Sequence, residues 1–147
     1  MSQKSYDGSP TLYRVPTPIG NLEDITLRAI RMLEEVEVIF SEDTRVTINL
    51  LKHLGITKKV LSAHEHNEKK AKEKMLSFLN KGFSIALVTD RGTPVISDHG
   101  YESVTYIIEK GYNVISLPGP TAFVPALIIS GLKPYPFLFY GFLNHKE

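Results

Sequence analysis

The chain has no cysteine, which removes disulfides, thiolate metal ligands and a cysteine nucleophile from consideration. It has almost no net charge: 17 Lys and Arg stand against 16 Asp and Glu, a balance of +1. No global field therefore advertises nucleic acid or a membrane surface. No apolar run approaches the length of a membrane span. Met1 to Pro10 is a polar leader that lacks the apolar core of a signal peptide. A soluble, cytoplasmic protein is expected. G-x-G-x-x-G is missing after the first candidate strand and G-x-x-x-x-G-K-[ST] is missing altogether, so neither a dinucleotide fingerprint nor a P-loop is available. Internal repeats and low-complexity segments are also lacking.

What is there is an alternation of short apolar runs and helical periodicity. Thr11 to Val15, Val36 to Phe40, Lys59 to Ser62, Ser84 to Val88 and Tyr112 to Leu117 read as strands. Between them, Leu22, Ile25, Ala29, Met32, Leu33 and Val36 have helical spacing, with Asp24 as a candidate N-cap. Val46, Leu50, Leu51 and Leu54 predict a second helix, stopped by Gly55. Ala71, Met75, Phe78 and Leu79 predict a third, and Tyr101, Val104, Ile107 and Ile108 a fourth. The run Lys69 to Lys74 reads as the solvated face of the third helix, and the Glu68–Lys72 spacing supports helix formation. A fifth helix is expected over 121–129, then a last strand at Phe137 to Tyr140. Such alternation predicts an α/β fold, a mostly parallel sheet of about five strands flanked by helices. The apolar end of the chain, through Leu143, has no covering helix. This predicts that residues 1–10 are a leader, 11–120 an N-terminal α/β domain and 121–147 the opening of a second α/β domain. An uncovered apolar strand also predicts self-association.

Three Gly/Pro loops follow strands: Pro16 to Asn21, Thr89 to Asp98 and Pro118 to Ala122. In a parallel sheet all three lie at the carboxyl edge, where ligands bind. They offer backbone groups, threonine hydroxyls and apolar walls. That set suits a nucleoside with an amino-acid tail better than a triphosphate.

Pro16-Thr17-Pro18-Ile19-Gly20-Asn21-Leu22-Glu23-Asp24-Ile25-Thr26-Leu27-Arg28-Ala29 resembles the opening of the tetrapyrrole methylase superfamily. More narrowly, it resembles the branch of bacterial ribosomal RNA small subunit methyltransferase I. Glu42 to Arg45, His64 to Glu68, Thr89 to Gly100 and Pro118 to Ala122 follow in that branch's order, and the resemblance covers about residues 11 to 143. It implies a tetrapyrrole methylase N-terminal domain, with S-adenosyl-L-methionine as cofactor. The implied reaction is methylation of the ribose 2′-hydroxyl of a cytidine in 16S ribosomal RNA. Implied partners are 16S rRNA or the small ribosomal subunit and a second copy of the chain, with no membrane and no metal. The implied cofactor contacts are Pro18, Ile19, Arg91, Gly92, Thr93, Ile96, Thr121 and Ala122. The chain departs from the family's usual small residue at Arg91, glycine at Val95 and proline at His99. A guanidinium beside the cofactor's sulfonium would repel it, whereas one facing the cofactor's carboxylate would hold it.

A ribose hydroxyl is a poor nucleophile and needs proton removal or strict orientation. Glu42, Asp43 and His64 are the candidates for the base, and Arg45, His66 and Asn67 for substrate contacts. Asp43 or Thr44 equally suits a helix cap, and His64 a satisfied strand-end histidine. His64-Glu65-His66 lacks the spacing of H-E-x-x-H, which argues against zinc. Two other functions share these features: a methylase of a tetrapyrrole or other small molecule, and a nucleoside-binding module without catalysis.

Overall fold

The computed structural model describes residues 7–92 and 100–141, apart from the side chain of Glu65. Their elements run β1 (Thr11–Arg14), α1 (Leu27–Glu35), β2 (Val38–Ser41), α2 (Thr44–Leu54), β3 (Val60–Ser62), α3 (Glu68–Asn80), β4 (Ile85–Val88), α4 (Tyr101–Glu109), β5 (Asn113–Ser116) and α5 (Phe123–Ile129). The strands form one sheet in the order β3-β2-β4-β1-β5, and every pair is parallel.

Side chains alternate across the pleat, and β4 shows how this builds two cores. Ile85 and Leu87 join Leu12, Phe40, Met75 and Ile107 in the layer beneath α3 and α4. Ala86 and Val88 join Val15, Ala29, Leu33 and Leu51 in the layer beneath α1 and α2. All four β4 side chains are buried, as expected for a central parallel strand. Each fully buried Leu, Ile, Phe or Met contributes about 1.5–3 kcal/mol of transfer free energy.

Several local expectations are corrected. Helix α1 is capped by Thr26, whose Oγ1 accepts the Ala29 N–H at 3.0 Å, not by Asp24. Asp24 lies in a separate 3-10 turn capped by Asn21, and Ile25 and Thr26 are extended, so no helix can run through them. In α4 the inward residues are Ser103 and Ile107, while Tyr101 and Ile108 are exposed. In α2 they are Thr47 and Leu51; Val46 is exposed and Leu50 half-buried. Lys72 pairs with Glu102 of α4 at 3.7 Å, and Glu68 accepts from Ser103 Oγ at 3.4 Å, so the two do not pair along α3. Gly55 does close α2, with φ 71° and its N–H on the Leu51 and Lys52 carbonyls.

No strand forms at Phe137 to Tyr140. Pro134 and Pro136 withhold ladder donors just before it. Phe137 and Phe139 turn instead to Phe123 of α5, with ring centroids 6.2 and 5.0 Å away. Helix α5 buries none of its own residues.

Candidate functional site

Because the sheet is parallel, the loops after β1, β4 and β5 share its carboxyl edge. The neighbours β1 and β4 are followed by helices on opposite faces, since α1 packs in one core layer and α4 in the other. Loops that part in this way open a crevice.

Three contacts hold the crevice together. Thr17 and Gly92 exchange backbone hydrogen bonds: the Thr17 N–H donates to Gly92 O at 2.9 Å, and the Gly92 N–H to Thr17 O at 3.0 Å. Thr17 Oγ1 also donates to Thr89 O at 3.2 Å. Gly92 has φ +80°, and a Cβ there would lie 3.1 Å from Ile19 Cγ2 and 3.7 Å from the Pro120 carbonyl oxygen. At Gly119 a Cβ would overlap the Pro16 ring, 2.7 Å from its Cγ. The two glycines let the three Gly/Pro loops close on one another. Of the residues implied as cofactor contacts, Gly92 is buried, Pro18, Ile19 and Thr121 are half-buried, and Arg91 and Ala122 are exposed. Thr93 and Ile96 lie outside the described residues, as do Val95 and His99.

The acidic turn after β2 is tied into this edge. The Asp43 N–H donates to Asp90 Oδ1 at 2.9 Å. Asp43 caps α2 by accepting the Arg45 N–H at 2.9 Å, and its two carboxylate oxygens take Arg45 Nε and Nη2 at 3.0 and 2.7 Å. These side-chain and backbone hydrogen bonds from Arg45 hold the Asp43 carboxyl down at about 2. Arg45 is correspondingly raised, first by its hydrogen bond to Asp43 and its charge, then with a share from Asp90. Glu42 is half-buried in the same turn.

Beyond β3, Asn67 is a strut. Its Oδ1 accepts the His64 N–H at 2.8 Å, and its Nδ2 donates to the Ser62 carbonyl and hydroxyl oxygens at 3.2 Å each. His64 lines a small cavity with Glu68, Leu87, Gly100 and Ser103, and its buried Nδ1 has no hydrogen-bond partner among the described residues. His66 is exposed, its ring edge-on to His64 with centroids 5.9 Å apart. Among the described residues no group of three or more His, Asp or Glu side chains could hold a metal ion, and no helix is long and apolar enough to cross a membrane.

A cleft of about 310 Å³ opens between the first loop, α2 and the second loop. Pro18, Leu22, Val46 and Leu50 supply apolar lining; Asn49, His53, Asp90 and Arg91 supply polar groups. Asn49 and His53 escaped the reading of the sequence because Val46 and Leu50 suggested a core-facing stripe. The signal was present in the spacing of Val46, Asn49, Leu50 and His53 at i, i+3, i+4 and i+7.

The model of the Tetrapyrrole (Corrin/Porphyrin) Methylases family matches residues 11–137. Ribosomal RNA small subunit methyltransferase I of Halalkalibacterium halodurans is 51% identical over 99% of this chain and 52% of its own length. The protein of the same name from Vibrio cholerae serotype O1 is 50% identical over 96% of this chain and 49% of its own. The chain thus spans about half the length of these curated relatives. In structure it resembles uroporphyrin-III-C-methyltransferase from Thermus thermophilus, with a TM-score of 0.63 at 22% identity over 84% of this chain and 54% of that one. At that identity the likeness concerns the fold. Matched along nearly its whole length and built on the same sheet, the chain belongs to the tetrapyrrole methylase family.

Proposed function

We propose that this chain is the N-terminal, cofactor-holding part of an S-adenosyl-L-methionine-dependent methyltransferase. Its substrate in this reading is the ribose 2′-hydroxyl of a cytidine in 16S ribosomal RNA, within the small ribosomal subunit. The observation that carries the reading is the roughly 50% identity, across nearly the whole chain, to proteins named ribosomal RNA small subunit methyltransferase I. The exposure of α5 and of Leu132 to Tyr140 supports a second unit that begins near residue 121 and covers them.

The residues present fit the cofactor. Gly92 leaves open a space beside Ile19 and the Pro120 carbonyl that a side chain would fill. Backbone carbonyls are suitable neighbours for a cationic sulfonium. The three Gly/Pro loops carry one cation in their sequence, Arg91, which opposes the sulfonium if it faces the sulfur and not the cofactor's carboxylate. The bound cofactor supplies a methyl group on a positively charged sulfur. Pro18, Ile19, Arg91, Gly92, Thr93, Ile96, Thr121 and Ala122 would hold it. Arg91 is exposed and lines the cleft beside α2, a position that leaves it available to a carboxylate or phosphate.

For the proton on the ribose hydroxyl the candidates remain Glu42, Asp43 and His64, and we favour Glu42. Asp43 is a helix cap held at about 2 by Arg45, which makes it a weak base near neutrality. His64 looks into the cavity shared with Glu68 and Ser103. Arg45, with the exposed His66 farther along the edge, would meet the RNA backbone, while Asn67, its amide spent on His64 and Ser62, would hold that turn in place. In that role Arg45 keeps its guanidinium oriented through Asp43.

The test uses the complete protein, small ribosomal subunits and methyl-labelled cofactor, with the product digested to nucleosides. Labelled 2′-O-methylcytidine is expected. Label recovered only on a tetrapyrrole, or cofactor binding without transfer to any RNA, would overturn the reading.

A further inference from the structure

Helix α2 presents two faces, and the core uses one. Thr47 and Leu51 are buried. Val46, Asn49, Leu50 and His53 form a second stripe, which lines the cleft instead. Val46 is 42% exposed, and Leu22, which lines the same cleft from the first loop, is 44% exposed. Aliphatic side chains left open in a concavity, with a few polar groups converging on it, are the usual composition of a ligand site.

The cleft shares the first and second loops with the place where the first and third loops meet Gly92, and differs from it in its remaining wall. That place brings together the loops after β1, β4 and β5, whereas the cleft brings together the loops after β1 and β4 and the helix after β2. β2 and β4 are paired neighbours, and α2 and α4 lie on opposite faces. A crevice between their ends follows by the same rule that opens the first one. The two places share the loops that carry Pro18 and Arg91, so a group in the cleft lies beside the group in the first crevice.

We propose that this cleft is a subsite for one nucleobase of the RNA substrate, adjacent to the nucleotide that is methylated; this rests on the RNA methyltransferase reading above. The volume lies at the low end of the range for small-molecule sites, about 300–1,000 Å³, which suits a single base and its sugar. Val46, Leu50 and Leu22 offer apolar surface to the face of a base, which any base can use. Asn49 brings an amide with both a donor and an acceptor. Asp90 is held in place by the Asp43 N–H at 2.9 Å, and its remaining lone pairs suit an exocyclic amine such as that of cytosine or adenine. The Arg91 guanidinium forms no ion pair among the described residues and is exposed at the rim, where a phosphate would meet it. An apolar protein side chain would leave these polar groups without partners, and a free anion would be repelled by Asp90. A base joined to its phosphate uses both.

The test is RNA binding by the complete protein, read by fluorescence anisotropy with a labelled single-stranded oligonucleotide spanning the methylated position. Cofactor affinity is measured separately by calorimetry. Val46→Glu keeps α2 intact, because an acidic residue in the first turn favours a helix, and it puts a carboxylate into the cleft. Asn49→Ala changes an exposed position and leaves the core alone. Each is expected to weaken RNA binding about tenfold, the equivalent of one lost stacking or edge contact, with cofactor affinity unchanged. Replacing one neighbour of the target nucleotide by an abasic site should weaken wild-type binding similarly and leave Val46→Glu indifferent. RNA affinity within about twofold of wild type in both variants, as a protein-docking or empty cleft would give, overturns the subsite. So does an absence of RNA binding by the wild type. Loss of RNA affinity in the variants of a protein that binds no cofactor would keep the subsite and remove the methyltransferase reading.

Discussion

The carboxylate of Asp90 accepts the backbone N–H of Asp43 at 2.9 Å. The two residues lie just past Val88 and Ser41, which are register partners in β4 and β2. One hydrogen bond thus ties the turn that carries Glu42 and Arg45 to the loop that carries Arg91 and Gly92. The Asp90 charge also favours the Arg45 cation. The turn that carries Arg45 and the loop that carries Arg91, proposed above to meet substrate and cofactor, are therefore set relative to each other by the Asp90 side chain.

Asp90→Ala should destabilise the chain by about 1–2 kcal/mol, the cost of an unpaired, partly buried donor. Asp90→Asn retains an oxygen acceptor and should lose less. Urea unfolding midpoints for the three proteins check this. Equal losses in the two variants would assign the effect to the Asp90 charge rather than to its hydrogen bond.

Gly92→Ala forces a Cβ onto a left-handed backbone and to 3.1 Å from Ile19 Cγ2. The expected cost is about 1–2 kcal/mol from the backbone alone, with a further loss of cofactor affinity in the complete protein. Adding Ile19→Ala should return part of the stability, because it removes the crowded methyl group. Gly119→Ala should be worse than Gly92→Ala, since its Cβ overlaps the Pro16 ring and a proline ring has little room to turn. Thermal unfolding ranks the variants.

The Asp43 carboxyl is held at about 2, below its ordinary 3.8. A depressed carboxylate contributes stability above its unfolded pKa and loses it as pH falls through the folded value. The contribution should therefore be constant above pH 5 and vanish between about 4 and 2. Because the pair faces solvent, the effect on stability is small, and the direct observable is the carboxyl carbon resonance. Its midpoint should move up toward 3.8 in Arg45→Ala, where the main cause of the depression is gone. An unmoved midpoint would shift the cause to the helix N-terminus.

Met75 is fully buried between α3 and the sheet, so Met75→Ala should cost about 2–5 kcal/mol. Leu138 is 83% exposed, and Leu138→Ser in this 147-residue chain should stay within about 0.5 kcal/mol. Chemical denaturation of the two variants against wild type gives the comparison.

The five sheet strands, their parallel pairing and the carboxyl-edge position of the Gly/Pro loops were legible in the residues alone. Short apolar runs separated by periodic segments admit few other solutions, and a parallel sheet has only one carboxyl edge. Gly55 as the stop of α2 and Asp43 as a candidate cap were legible for the same reason, since local chemistry governs a helix end. Periodicity did not reveal which of two apolar stripes faces the sheet. Val46 and Leu50 look as core-like as Leu51, and Tyr101 and Ile108 as core-like as Ile107, because a helix's rotation is set by what it packs against. The apolar stretch at Phe137 to Tyr140 likewise reads as a strand until Phe123 is found beside it. The links from Asp90 to Asp43 and from Thr17 to Gly92 span 47 and about 75 positions of sequence. No local pattern encodes contacts of that range; strand order alone brings those residues within a hydrogen bond of each other.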